Sequence, residues 1–245
     1  MLATLPRSGS TFFATELWRT GLLGAPMEYL NPSFVKLLMQ RPDFQETDVA
    51  GYWSWVKQRR TSRNGVFGYK MFFANYTKIT SIVPEWLPHI APLKVVFLTR
   101  SNVLEQAVSY SKAIGGNAWF ASVKPKKPYE YDAKHISKCI ESIQLQLDFW
   151  SELFAMTHTD VCRVYYEDLL VDLDASIERV AEFMSVPLNP SRIKGPPLIH
   201  VQRDSQSAEW VARYKQECGD VSKVGIGSIG RLSTDKQCSS KQDLR

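Results

Sequence analysis

Short apolar segments alternate along the chain with longer stretches in which apolar residues recur every three or four positions. The apolar segments are rich in β-branched and aromatic residues, which is typical of strands buried on both faces. The periodic stretches are typical of helices. The predicted strands are residues 2–5, 66–73, 93–99 and 162–166, and the predicted helices are residues 10–20, 104–113, 134–156 and 172–184. This alternation predicts an α/β fold in which helices flank a central, mostly parallel sheet.

The length of 245 residues allows one large domain with a sizeable core. We predict a single domain over residues 1–220. The remaining residues, 221–245, are rich in Gly, Ser, Lys and Asp and have no apolar period. This composition predicts a mobile or disordered C-terminal tail.

Charge and hydropathy narrow the class of protein. The net charge of +5 is small, and acidic residues are interspersed with basic ones, so a nucleic-acid partner is not expected. No window approaches 18 consecutive apolar residues, so no membrane span is predicted. The N-terminus lacks the pattern of a signal peptide, which favours a cytoplasmic location.

The candidate metal ligands are scattered. No two of the four cysteines form a CxxC pair, and the four histidines are equally far apart. A zinc site is therefore not predicted.

The stretch LPRSGSTFF, residues 5–13, lies between the first predicted strand and the first predicted helix. Glycine permits a tight turn and a close backbone approach to a ligand, and the free N–H groups at a helix start favour an anion. The two hydroxyls and the arginine add donors. An ordinary turn with a helix cap is the alternative interpretation. The candidate anion-binding residues are Arg7, Ser8, Gly9, Ser10 and Thr11.

This loop lacks the Lys that a nucleotide triphosphatase loop places before its last hydroxyl residue. No evident carboxylate follows the strand at residues 93–99 to hold magnesium. An ATP-dependent small-molecule kinase therefore remains an alternative with less support. A non-catalytic nucleotide-binding module is a further alternative.

Four stretches beyond the loop, taken in order, support a family resemblance. They are GLLGAPMEYLNP, LTRSNVLEQAVSYSKA, YYEDLLVDLDASIERVAEFMSVP and SAEWVARYKQE. With the loop, they resemble sulfotransferases that use 3'-phosphoadenosine 5'-phosphosulfate (PAPS). The closest likeness is to the bacterial Stf0-like branch with trehalose 2-sulfotransferase and the Nod-factor and lipopolysaccharide sulfotransferases. The resemblance spans about residues 3–217 and implies a P-loop-like domain that needs no metal.

The resemblance assigns residues to the 3'-phosphate of the donor. Arg100 follows a predicted strand, and Ser109 lies in the next helix, so a cation and a hydroxyl would hold the dianion. Relatives often have two adjacent arginines here, whereas this chain has Arg100 followed by Ser101. Arg203 corresponds to the C-terminal loop of the family that approaches the same phosphate.

Three residues are implied in the chemistry. Glu28 matches the Glu that the bacterial branch uses as general base, whereas many eukaryotic relatives place a His at the position of Phe72. Lys70 resembles a Lys near the transferred group, and a Lys within an apolar strand is costly unless paired. Arg7 can stabilise the leaving 5'-phosphate. The adjacent Glu167 and Asp168 are predicted to cap a helix rather than to act in catalysis.

The sequence is compatible with several classes of acceptor. The resemblance favours a hydroxyl of a carbohydrate or glycolipid, and natural-product hydroxyls are also compatible. Aromatic residues could line an acceptor pocket or pack in the core. These are Phe34, Phe44, Tyr52, Trp53, Trp55, Trp119 and Phe120. A homodimer is expected by the resemblance alone.

Overall fold

The computed structural model describes residues 1–46, 48–82, 84–117, 119, 129–188 and 205–221. The chain divides into two compact units. The first contains Met1–Thr99 and Trp150–Val201, and the second contains Arg100–Phe149 and Gln202–Arg245. Arg203 and the predicted tail beyond residue 221 lie outside the described residues, so the predicted domain boundary stays a prediction.

The first unit is built on a parallel sheet. Its strands are β1 (Leu2–Thr4), β2 (Lys70–Phe72), β3 (Val95–Thr99) and β4 (Val161–Tyr165), in the order β2-β1-β3-β4. All three pairings between them are parallel. The predicted α/β class with a parallel central sheet is confirmed.

The helices extend the predicted pattern. All four predicted helices form, and the sequence pattern missed several others. The described helices are α1 (Ser10–Arg19), α2 (Pro32–Met39), α3 (Val49–Arg60), α4 (Phe73–Ile82), a 3-10 turn (Pro84–Trp86), α5 (Leu87–Ile90), α6 (Val103–Gly115), α7 (Ala133–Met156), α8 (Tyr166–Val171), α9 (Leu173–Phe183) and α10 (Ser205–Cys218).

Both faces of the sheet are covered within the first unit. On one face, α1 and α9 contribute to a buried cluster with the strands, and this cluster includes Phe13, Leu98 and Ile177. On the opposite face, the ring of Phe97 lies 5.3 Å from that of Phe154 in the last turns of α7. Continuous apolar strands are explained by this double burial.

The strand order reverses at β1. The chain goes from β1 to β2 on one side and then to β3 on the other side of β1. In parallel sheets, ligands bind beyond the carboxyl ends of the strands at such a reversal. The LPRSGSTFF loop leaves β1 at this point, and Thr4 donates a hydrogen bond across to the Leu98 carbonyl oxygen at 3.2 Å.

Candidate functional site

The loop after β1 has an unusual backbone. Arg7 and Gly9 both have positive φ angles, of 61° and 79°. Ser8 is buried, and its Oγ lies 2.6 Å from Thr4 Oγ1 and 2.9 Å from the Leu5 carbonyl oxygen. The Ser8 hydroxyl therefore stabilises the turn from within. Its assignment to the nucleotide stays a prediction.

Gly9 is required by its surroundings as well as by its backbone. A Cβ atom at this position would lie 2.4 Å from Cδ2 of Tyr166, the first residue of α8. The ring of Tyr166 thus closes one side of the loop, and the turn can approach it only without a side chain.

The N-cap residue of α1 leaves the start of the helix without a side-chain cap. Gly9 occupies the N-cap position and supplies no side-chain hydrogen bond, and the first turn contains no acidic residue. The first N–H groups of a helix have no partner within the helix. Together with the helix dipole, they make this end of α1 suited to an anion.

A buried lysine joins this helix start to a carboxylate. Lys70 Nζ lies 3.0 Å from Glu28 Oε1 and donates a hydrogen bond to Thr11 Oγ1 at 3.2 Å. The Lys70 side chain is 2% exposed, whereas that of Glu28 is 25% exposed. The structure thus brings together three of the sequence-predicted site residues, of which Lys70 is buried and Glu28 and Thr11 are partly exposed.

Burial changes the acidity of the lysine. Desolvation lowers the pKa of Lys70, and the charge and hydrogen bond of Glu28 partly oppose that shift. The ammonium group is consequently held where additional negative charge would stabilise it.

Backbone pairing explains why Glu28 lies beside Lys70. Met27 forms an isolated parallel bridge with Tyr69, and the Lys70 N–H donates to the Met27 carbonyl oxygen at 2.9 Å. Tyr29, which follows Glu28, is fully buried, and its hydroxyl donates a hydrogen bond to the Ala25 carbonyl oxygen at 2.6 Å. Glu28 is therefore held between two anchored neighbours.

Asn31 is a contact of this cluster that the sequence interpretation missed. Its Nδ2 donates to Glu28 Oε2 at 3.0 Å, and its Oδ1 accepts a hydrogen bond from the Ser33 N–H at 3.1 Å. The signal was present, because an Asn followed by Pro is typical of a helix N-cap and first position. The capping pattern does not reveal the hydrogen bond from the Asn31 amide to Glu28.

The candidate residues for the 3'-phosphate lie in the second unit. Arg100 Nη2 lies 2.8 Å from Glu105 Oε2 in the first turn of α6, and the Arg100 side chain is mostly buried. Asn102 caps α6 by accepting from the Glu105 N–H at 3.1 Å. Ser109 is half-buried on the same helix. The roles of Arg100 and Ser109 stay predictions.

One predicted cap is wrong. Glu167 and Asp168 lie in the first turn of α8, and the N-cap position is Tyr165. Acidic side chains in a first turn still interact favourably with the helix dipole. The position of Glu167 and Asp168 in the first turn of α8 is therefore explained by a favourable interaction with the helix dipole.

Over the residues that the structure describes, no group of three or more His, Cys, Asp or Glu side chains could hold a metal ion. Among the same residues, no helix is long and apolar enough to cross a membrane.

Comparison with known proteins decides the family. Residues 1–217 match the family described as Stf0 sulphotransferase. The chain belongs to this sulfotransferase family. The resemblance stated from the loop and the four later stretches is thereby confirmed.

Individual relatives of this sulfotransferase are distant but cover it almost entirely. The trehalose 2-sulfotransferase of Mycobacterium tuberculosis is 26% identical, over 89% of this chain and 94% of that protein. The trehalose 2-sulfotransferase of Mycolicibacterium smegmatis is 23% identical, over 86% and 92%. The sulfotransferase domain from the Synechococcus PCC 7002 olefin synthase superposes with a TM-score of 0.48 at 14% identity, over 94% of this chain and 89% of that chain.

Proposed function

We propose that this sulfotransferase moves a sulfuryl group from PAPS to a hydroxyl group of a carbohydrate, with Glu28 as general base. The observation that carries the proposal is the buried Lys70, which contacts both Glu28 and Thr11 at the uncapped start of α1. The names of the two mycobacterial relatives support the carbohydrate acceptor.

The residues of the first unit fit the phosphosulfate end of PAPS. The first N–H groups of α1, the hydroxyls of Ser10 and Thr11, and the cations Arg7 and Lys70 are all donors. Donors of this kind suit an anion and require no metal. When bound, PAPS supplies a sulfuryl group attached to a phosphate leaving group.

Glu28 and Lys70 have different roles in the proposed reaction. Glu28 accepts the proton of the acceptor hydroxyl as the new oxygen–sulfur bond forms and the bond between sulfur and the 5'-phosphate oxygen breaks. Lys70, already desolvated, stabilises the negative charge that develops on the leaving side. Arg7 assists Lys70 there.

Arg100 and Ser109 are proposed to bind the 3'-phosphate. Arg100 is paired with Glu105 in the structure, so a phosphate must compete with that carboxylate or share the guanidinium with it. Arg203 is proposed for the same group and lies outside the described residues. A cytoplasmic location and a homodimer stay predictions from the sequence.

Two measurements test the donor and the acceptor. Calorimetric titration with 3'-phosphoadenosine 5'-phosphate (PAP), with and without Mg²⁺, should give binding that does not depend on the metal. Transfer of radiolabelled sulfate from PAPS to trehalose and a panel of other sugars identifies the acceptor. Binding of ATP with Mg²⁺ and none of PAP would return the chain to the kinase interpretation.

The general base is tested by Glu28→Gln. We expect kcat to fall by about 10²–10⁴-fold, because proton transfer from the acceptor is lost. PAP affinity should change little. Glu178→Gln is the matched control, since Glu178 is exposed on α9. If Glu28→Gln transferred sulfate as fast as that control, Glu28 would not be the base.

A further inference from the structure

Glu28 is held at two points by groups of different kinds. The charged group that contacts it is Lys70, at Oε1, and the neutral amide of Asn31 donates to the other oxygen, Oε2. Each carboxylate oxygen offers two lone pairs, so both contacts leave acceptor capacity for a substrate proton. The two contacts together define the plane and direction of the carboxylate.

We propose that Asn31 is a positioning residue that orients the Glu28 carboxylate toward the acceptor. This inference rests on the proposed function, in which Glu28 is the base. Asn31 does not touch the reacting atoms in this proposal. It acts through its hydrogen bond to Glu28 Oε2.

The choice of asparagine supports this role. Asn31 is the N-cap of α2, and Asp or Ser would cap a helix about as well. An Asp side chain could accept from the Ser33 N–H but could not donate to a carboxylate, and Ser would have to make both bonds through one atom on a shorter side chain, whereas the Asn amide uses two separate atoms. The start of α2 and the proposed base are thus joined through one amide.

The backbone reinforces the connection. The Asn31 N–H donates to the Glu28 carbonyl oxygen at 3.0 Å, so the two residues are joined through main chain and side chain. The half-buried amide of Asn31 has both ends engaged and cannot rotate without losing two hydrogen bonds. The geometry fixes the proposed base before any substrate binds.

The first test reads Glu28 directly and needs no acceptor. The protein is labelled with carbon-13 glutamate, and the Glu28 carboxyl signal is assigned as the one missing in Glu28→Gln. We then compare its titration midpoint in the wild type, Asn31→Ser and Asn31→Asp. Both variants retain a capping side chain, so α2 keeps its N-cap.

We expect Asn31→Asp to raise the midpoint, because a like charge replaces a donor. Asn31→Ser should raise the midpoint by less, since the hydrogen bond of the longer amide is lost and no like charge is added. Asp48→Ala removes the cap of the neighbouring α3 and serves as the structural control, with no shift expected. An unchanged midpoint in Asn31→Asp, or an equal shift in Asp48→Ala, would overturn the positioning role.

The kinetic test separates this inference from the proposed function. With an acceptor in hand, Asn31→Ser should lower kcat about tenfold, as expected for a misoriented base, and should leave PAP affinity intact. The acidic limb of the pH–rate profile should move to higher pH in Asn31→Asp. Full activity of Glu28→Gln would contradict the proposed function, whereas wild-type kcat in Asn31→Ser beside an inactive Glu28→Gln would contradict only the role of Asn31.

Discussion

Helices α1 and α9 contribute to the same buried cluster on the sheet, yet they begin in opposite ways. At the start of α9, Asp172 accepts a hydrogen bond from the Ala175 N–H at 2.9 Å, and Asp174 adds a second carboxylate to the first turn. At the start of α1, Gly9 has no side chain to offer, and the first turn contains no carboxylate. One helix start is neutralised by its own residues, and the other is not.

The difference separates a helix start built for stability from one built for binding. Unpaired N–H groups and the positive end of the dipole cost free energy unless something negative meets them. At α1 the nearby Lys70 adds a further positive charge through its contact with Thr11. Such an arrangement lowers the stability of the free protein and raises its affinity for an anion.

Among the changes at the two helix starts, the largest effect is expected from Lys70→Met, which removes the positive charge beside α1. We expect kcat to fall by about 10²–10³-fold, because a preorganised donor for the leaving group is lost. The free energy of unfolding at neutral pH should rise, because burial of the Lys70 ammonium group costs more than its pairing with the partly exposed Glu28 returns. Urea denaturation measures the stability, and the sulfate transfer assay measures kcat.

The same variant should change how stability depends on pH. The pKa of Lys70 is lowered in the folded protein from its ordinary value of 10.5, mainly by burial. At pH values between the lowered pKa of the folded protein and 10.5, the unfolded chain binds more protons than the folded one. The stability of the wild type therefore rises with pH in this range. That rise should be absent in Lys70→Met. A variant less stable than the wild type would show that Lys70 stabilises the fold.

A smaller effect is expected from Gly9→Ala. The added Cβ would lie 2.4 Å from the Tyr166 ring, on a residue whose φ is 79°. We expect about 1–3 kcal/mol of lost stability from the strained backbone alone. PAP affinity should fall about tenfold or more, because the loop must shift. Thermal unfolding and calorimetry provide the two readouts.

The double variant Gly9→Ala, Tyr166→Ala resolves the two causes. Removing the ring relieves the clash and leaves the backbone strain, so stability and PAP affinity should recover only in part. Complete recovery would mean that the left-handed conformation of Gly9 is unimportant. Tyr166→Ala alone is the necessary reference.

Strand β3 could be predicted because burial on both faces makes it continuously apolar, and β3 and β4 both form within two residues of their predicted bounds. The strand at residues 66–73 was predicted too long. Phe67 is apolar for another reason, because its ring packs against that of Trp53 at 5.3 Å, in a loop before β2. Apolar pattern alone cannot separate these causes.

Helix α3 was missed for a related reason. Its buried residues Tyr52, Trp53, Trp55 and Val56 share one face at helical spacing, but three of the four are aromatic, so the stretch was interpreted as a group of aromatic residues rather than as an apolar stripe. Trp53 is almost fully buried, and Tyr52 and Trp55 are nearly so. Core packing therefore accounts for these three aromatics, which the sequence could have assigned equally to an acceptor pocket.

The site could be predicted as a set of residues but not as a geometry. Family resemblance pointed separately to Glu28 and Lys70. Their contact depends on the pairing of Met27 with Tyr69, which is long-range and leaves no periodic signal. The link from Glu28 to Asn31 is local in sequence, but a capping pattern does not reveal what the other end of the amide contacts.

The smallest effect is expected at the start of α9, which is capped by its own residues. Asp172→Ala removes the side-chain cap of α9 and should lower the free energy of unfolding by about 1 kcal/mol. Asp172→Asn keeps an oxygen acceptor and should lose only a few tenths of that. Neither variant should alter PAP affinity by calorimetry, because the first turn of α9 is already satisfied within its own chain. A loss of PAP affinity in Asp172→Ala equal to that in Gly9→Ala would mean that both helix starts affect binding through general stability. An uncapped start would then no longer distinguish the anion-binding helix from the structural one.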